Sequence, residues 1–250
     1  MFLEGKVALV TGAGQGVGQG IALALAAEGA AVAASGRTLE KLELTCALLR
    51  ERGADAMPVV CDVKSPVALR SMVDNVIERF GRLDILVNNA QEVPLGTLEQ
   101  VSDDSFTAGW ESGPLATFRL MKLCRPHFAG SGCIVNLASS AGRRWDMSGY
   151  GAYAATKEAI RSLTRAAACE WGPEGIRTNV VLPHATSPGL AWWMDNNPEE
   201  AAAFIATIPQ RRVGDCEKDI GRFVAQLCSE GSGYVNGQSI ALDGGQAFIG

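Results

Sequence analysis

Short apolar runs rich in β-branched residues alternate with longer segments of helical periodicity from one end of this chain to the other. That rhythm constrains the fold more than any other feature. A run of about four to eight residues that is apolar at nearly every position suits a strand buried on both faces, and an amphipathic segment after it suits a helix crossing back over the sheet. The runs at 7–10, 31–35, 57–61, 85–87, 134–136, 177–182 and Ser239–Leu242 read as strands. The expectation is an α/β chain, one doubly wound domain over residues 1–250, with a parallel sheet of about seven strands and helices on both faces. No linker, internal repeat or low-complexity tract interrupts the pattern.

With 250 residues, 47% of them apolar and 20% charged, the chain can bury a sizeable core without a second domain. Its net charge of −5 and the scatter of its 22 basic residues give no footprint for a nucleic acid or an anionic membrane surface, so neither partner is expected. The seven cysteines contain no Cys-x-x-Cys pair and there are two histidines, a set that argues against a metal site and for reduced thiols. Glu4 and Lys6 stand at the entrance to the first strand, leaving no room for a signal-peptide core, and no run reaches membrane-spanning length. A cytoplasmic location is the expectation.

In sheets of this type ligands bind beyond the carboxyl ends of the strands. The residues found there are Thr11-Gly12, Gly36-Arg37, Asp62, Asn88-Asn89-Ala90, Ser139-Ser140 and Pro183. Between the first strand and an apolar helix, residues 11–18 read Thr-Gly-Ala-Gly-Gln-Gly-Val-Gly. Glycines let the backbone turn tightly and approach a phosphate, and the helix that follows offers free N–H groups at the positive end of its dipole. A pyrophosphate fits this turn. At the end of the second strand, where a carboxylate would hold the ribose 2′-hydroxyl of NAD, the chain has Gly36-Arg37. A guanidinium suits a 2′-phosphate, so NADP is preferred, with NAD possible.

Tyr153 and Lys157 lie four residues apart, on one face of a helix that is expected to begin near Tyr150. Acid–base work by a phenol near neutral pH requires stabilising phenolate by about two to three pKa units, roughly 3–4 kcal/mol, and a flanking ammonium contributes to that. Ahead of this helix the fifth strand ends in a hydroxyl pair, Ser139-Ser140. Together the glycine turn Thr-Gly-x-x-x-Gly-x-Gly, Asn88-Asn89-Ala90, the serines, Tyr-x-x-x-Lys, Arg177-Thr178-Asn179 and the closing stretch 237–245 resemble the short-chain dehydrogenase/reductase family along essentially the whole chain.

The resemblance implies a Rossmann-type fold and an NAD(P)-dependent oxidoreductase that interconverts a ketone and a secondary alcohol. Tyr153 would be general acid and base, Lys157 would lower its pKa and bond the nicotinamide ribose, and a serine would hold the substrate oxygen. Spacing from Asn136 selects Ser139, whereas spacing back from the tyrosine selects Ser140; Ser139 is preferred because Ser-x-x-Gly ends at Gly142. The dinucleotide would lie against Gly12, Gln15, Gly16, Val17 and Gly18 at the turn, with Arg37 at its 2′ position and Asp62 and Val63 at its adenine. Asn89 and Ala90 would line the adenosine ribose, and Pro183 and Thr186 would flank the carboxamide.

Three positions depart from the family: Gly113 where an asparagine of the catalytic tetrad is usual, and Gln91 and His184 where glycines are usual. Glycine retains the backbone carbonyl at position 113, and Pro114 is suited to kinking the helix there. A dinucleotide-binding sensor or scaffold without turnover is the alternative function, and the intact Ser, Tyr and Lys set weighs against it. Enoyl reduction is disfavoured because those relatives usually space tyrosine and lysine more widely. A substrate lid is expected around 187–210, where Trp192, Trp193, Met194 and Phe204 imply an aromatic wall, with Trp145 and Tyr150 near it, for a bulky hydrophobic substrate. The family also suggests a homotetramer, built partly on the helix Gly151–Trp171 with its small residues Ala154, Ala155, Ala159 and Ala166.

Overall fold

A computed structural model of the chain describes residues 1–143 and 149–248. The expected strands form as β1 (Val7–Thr11), β2 (Ala31–Gly36), β3 (Ala56–Val60), β4 (Leu83–Asn88), β5 (Phe128–Leu137), β6 (Ile176–Pro183) and β7 (Ser239–Leu242). They pair in the order β3-β2-β1-β4-β5-β6-β7, and every pairing is parallel. Between β1 and β4 the strand order reverses direction, and the crevice of a doubly wound sheet opens there.

Strand pleating decides which side chains face which layer. Ala8 and Val10 of β1, Val32 and Ala34 of β2, and Ile85 and Val87 of β4 join one core with α1 (Gly16–Ala27), α2 (Leu39–Glu51) and α9 (Arg222–Cys228). Val7, Leu9, Ala33, Leu83 and Leu86 point the other way. They pack with α3 (Pro66–Phe80), α5 (Ala116–Cys124) and α6 (Gly151–Trp171). Both faces of the sheet are therefore dry, which is why its central strands lack polar–apolar alternation.

Two stretches differ from their sequence reading. Strand β5 begins at Phe128, well before the expected residue 134, through an irregularity in which Leu83 pairs with Phe128 and Ile85 with Cys133. Gly130 and Gly132 dilute the apolar signal of that early part. The segment 103–128 is two helices, α4 (Asp103–Trp110) and α5, joined by a π-helical turn at Glu111–Leu115. Pro114, inside that turn, has no N–H for the regular ladder, and the wider turn accommodates its ring.

A buried polar chain sets the depth of α6 on the sheet. Asn88 Nδ2 donates to Asn136 Oδ1 at 2.8 Å, and Asn136 Nδ2 donates to Thr164 Oγ1 at 2.9 Å. These bonds link β4, β5 and α6, and they restrict how far the helix can slide along the sheet.

Candidate active site

The strand ends and the loops after them line an open cleft of about 1140 Å³. Its floor is the glycine turn. Gly12 has φ +66°, a conformation few other residues adopt, and a Cβ there would lie 2.6 Å from Asn89 Nδ2. Asn89 spends that amide on the turn itself, donating to the carbonyls of Thr11 at 2.9 Å and Gly12 at 3.2 Å. Thr11 Oγ1 in return accepts from the backbone N–H groups of Asn89 at 3.0 Å and Ala90 at 3.1 Å. The ends of β1 and β4 are thereby locked together beneath the cleft.

Helix α1 starts at this turn with no side-chain cap and no acidic residue in its first turn. Its leading N–H groups and the positive end of its dipole stand at the cleft that Gly12 and Gly16 line, a setting that fits a diphosphate. Gly12, Gln15, Gly16 and Val17 line the cleft, as do Arg37, Asp62, Val63, Asn89, Ala90 and Pro183. Gly18 lies behind the turn, where a Cβ would stand 2.3 Å from Gly12 O, so it serves close packing of α1 on β1. Thr186 is not among the lining residues: its N–H and hydroxyl both point at Gly214 O, at 2.9 and 3.4 Å.

Around the far end of the turn the chain is basic in a way that the sequence reading of Arg37 alone missed. Lys41, four residues further on in the first turns of α2, lines the cleft and donates to Gln15 Oε1 at 2.6 Å. Arg37 Nη1 lies 3.0 Å from Glu92 Oε1, which Lys64 Nζ approaches to 2.9 Å. Glu92 follows β4 in sequence and carries no motif that marks it as a partner of β2; the crossover topology brings the two together.

Opposite the turn stand Ser139, Tyr153 and Lys157. Lys157 is 3% exposed, donates to Leu137 O at 2.8 Å, and its Nζ sits 5.4 Å from the centre of the Tyr153 ring. Ser139 is hydrogen-bonded to the Tyr153 phenol, while Ser140 is buried at the start of the tight turn Ser140–Arg143. Tyr150 meets Tyr153 edge to face at 6.0 Å.

Burial dominates the titration of both partners. It pushes the Tyr153 phenol up to about 12, against the opposing hydrogen bond from Ser139, and it pushes the Lys157 ammonium down to about 7. Lys157 is not among the causes of the phenol's shift, which are burial, the opposing hydrogen bond from Ser139 and the neighbouring Tyr150. The site by itself holds the phenol protonated.

The far wall is aromatic. Trp193 and Phe204 meet edge to face at 6.0 Å, and Phe204 meets the His184 ring at 5.3 Å. All three line the cleft, together with Trp192, which is 66% exposed. Trp145 lies outside the described residues. Among the described residues no three His, Cys, Asp or Glu side chains gather as metal ligands, and no helix is long and apolar enough to cross a membrane.

Comparison with known proteins agrees with this fold. A family model described as enoyl-(acyl carrier protein) reductase matches residues 12–247. A 12α-hydroxysteroid dehydrogenase from a Clostridium species is 39% identical over 97% of this chain and 96% of its own. A short chain dehydrogenase from Burkholderia cenocepacia, solved in complex with NADP, superposes with a TM-score of 0.92 at 32% identity, over 98% of this chain and 99% of that one. A 7α-hydroxysteroid dehydrogenase solved with NADH and 7-oxo glycochenodeoxycholic acid gives 0.91 at 30% identity, over 97% and 94%. The chain belongs to the short-chain dehydrogenase/reductase family, oxidoreductases that act on CH–OH or C=O groups with NAD(P).

Proposed function

We propose that this chain reduces a ketone on a bulky hydrophobic ring system, and oxidises the corresponding secondary alcohol, with Tyr153 as general acid and base. The observation that carries this reading is the meeting of Ser139, Tyr153 and Lys157 at one wall of a cleft whose other end is the uncapped glycine turn. NADPH held there would supply the hydride to the carbonyl carbon. In reduction the Tyr153 O–H would give its proton to the carbonyl oxygen, so that the ketone becomes an alcohol and the tyrosine a phenolate. The phenol is protonated beforehand, the state this direction uses, and burial raises its pKa further. Ser139 would orient the substrate oxygen, and Lys157, anchored on Leu137 O, would stabilise the phenolate.

NADP is favoured over NAD by Arg37 and Lys41 at the 2′ end, and Gly12, Gln15, Gly16 and Val17 would hold the diphosphate. Asp62 and Val63 would meet the adenine, and Pro183 would flank the carboxamide. Residues 187–210 would close over the substrate, with Trp193 and Phe204 as its apolar wall. Two of the compared proteins are hydroxysteroid dehydrogenases, and a steroid-sized ring system matches such a wall. We propose further that the protein is a homotetramer in a reducing compartment, its seven cysteines all being free thiols.

The test is to follow dinucleotide absorbance with 12-oxo and 7-oxo steroids, small ketones and an enoyl thioester, using NADPH and NADH. Oxo-steroid turnover that prefers NADPH and disappears in Tyr153→Phe is expected. Turnover of the enoyl thioester in place of any ketone, or dinucleotide binding with no turnover at all, would overturn the assignment.

A further inference from the structure

Gln91, in the loop after β4, and Gly113, in the π-helical turn between α4 and α5, form one packing unit. A Cβ built on Gly113 would lie 2.7 Å from Gln91 Nε2, 2.8 Å from its Cδ and 3.0 Å from its Oε1. The amide thus fills the space that a side chain at 113 would take. Its nitrogen is engaged: Nε2 donates to Thr156 Oγ1 at 2.6 Å, and that hydroxyl donates to the carbonyl of Tyr153 at 2.7 Å. Thr156 is completely buried, one residue before Lys157. A chain of two short hydrogen bonds therefore runs from the lip of the cleft into the turn of α6 that presents the phenol.

The other half of the amide weighs against a purely stabilising role. Gln91 Oε1 is buried and accepts no hydrogen bond among the described residues, an arrangement that costs stability. Gln91 also lines the cleft that Ser139, Tyr153 and Lys157 line, and its amide is hydrogen-bonded to Thr156. A glutamine kept at that cost, over a glycine that makes room for it, has its evident use in the bond to Thr156.

We propose that Gln91 is a positioning residue for Tyr153, acting through Thr156, and that glycine at 113 exists to admit it. The proposal rests on Tyr153 being the proton-transferring group, so its test includes readouts that need no turnover. The phenol is faced by Ser139, Tyr150 and Lys157, whose settings depend on where the α6 turn holds it.

The experiment is a cycle of Gln91→Gly, Gly113→Ala and the double variant, with Thr156→Val as an independent cut of the same chain. Gly113→Ala is expected to lower Tm by about 2–8 °C while Gln91 is present and to be neutral or stabilising once Gln91→Gly has emptied the space. Gln91→Gly and Thr156→Val should each lower kcat about 10- to 100-fold with the KM values for dinucleotide and ketone little changed. In ultraviolet difference titration, referenced to Tyr153→Phe, the phenol should ionise at lower pH in both variants, because a loosened turn admits water. Additive Tm changes would break the pairing of 91 and 113. An unchanged phenol titration in Gln91→Gly would overturn the positioning role, and it decides this even if the wild-type protein turned over none of the ketones.

Discussion

Both hydroxyls at the end of β5 line the cleft, but Ser139 is the one hydrogen-bonded to the phenol. Ser139→Ala is expected to lower kcat about 10²- to 10⁴-fold, the range for losing a group that positions a proton transfer, and Ser140→Ala to leave it within a few-fold. The reverse outcome would move the substrate oxygen to Ser140. Lys157 gives a prediction in pH. Its folded-state value of about 7 lies below the ordinary 10.5, so between those limits the unfolded chain binds a proton that the folded one lacks. Stability accordingly rises with pH across that window, fully gained above 10.5 and lost as pH falls to about 7. Tyr153, raised from 10 to about 12, acts oppositely and only above pH 10. Relative to wild type, Lys157→Met should look most stable near pH 7 and lose that advantage as pH approaches 10, by up to about 1.4 kcal/mol per pH unit. Urea denaturation at a series of pH values measures it, and a gap independent of pH would show that the ammonium is not desolvated.

Elements place these groups with different rigidity. Helix α6 is pinned at Asn136–Thr164 and at Lys157–Leu137, so its phenol is presented by a fixed support. The helices α7 (Pro188–Asn196) and α8 (Pro198–Thr207) bury Ala201 alone among their residues and touch the body through rings at His184 and Phe204. Such a segment can be ordered by a substrate, since few apolar contacts oppose its opening. Phe204→Ala should therefore lower kcat/KM for an oxo-steroid about 10- to 100-fold, the equivalent of losing one aromatic side chain's burial, and change that for a small ketone little. Equal losses on both substrates would mean that Phe204 shapes the protein and not the substrate wall.

On the scale of the whole molecule, Phe106, Trp110 and Phe118 on α4 and α5 are each 40–41% exposed, next to the small-residue face of α6 that carries exposed Ala155 and Ala166. Covering such rings against copies of the chain would supply part of the roughly 1,000 Å² or more that a stable interface needs. Light scattering of wild type should give four times the chain mass, and Phe118→Arg should lower it; a monomeric wild type would end the tetramer proposal. The sheet was legible in the sequence because a strand buried on both faces is apolar at every position, and the turn because a chain that approaches a phosphate needs glycine there. The Tyr–Lys pair was equally legible, since four residues on a helix bring two side chains to one face whatever surrounds them. Three things were decided by tertiary structure: that Gln91 occupies the space over Gly113, that Glu92 holds Arg37, and that burial raises the phenol. Each depends on distance and dielectric between segments remote in the chain, and residue order carries local periodicity and conformational allowance but no measure of either.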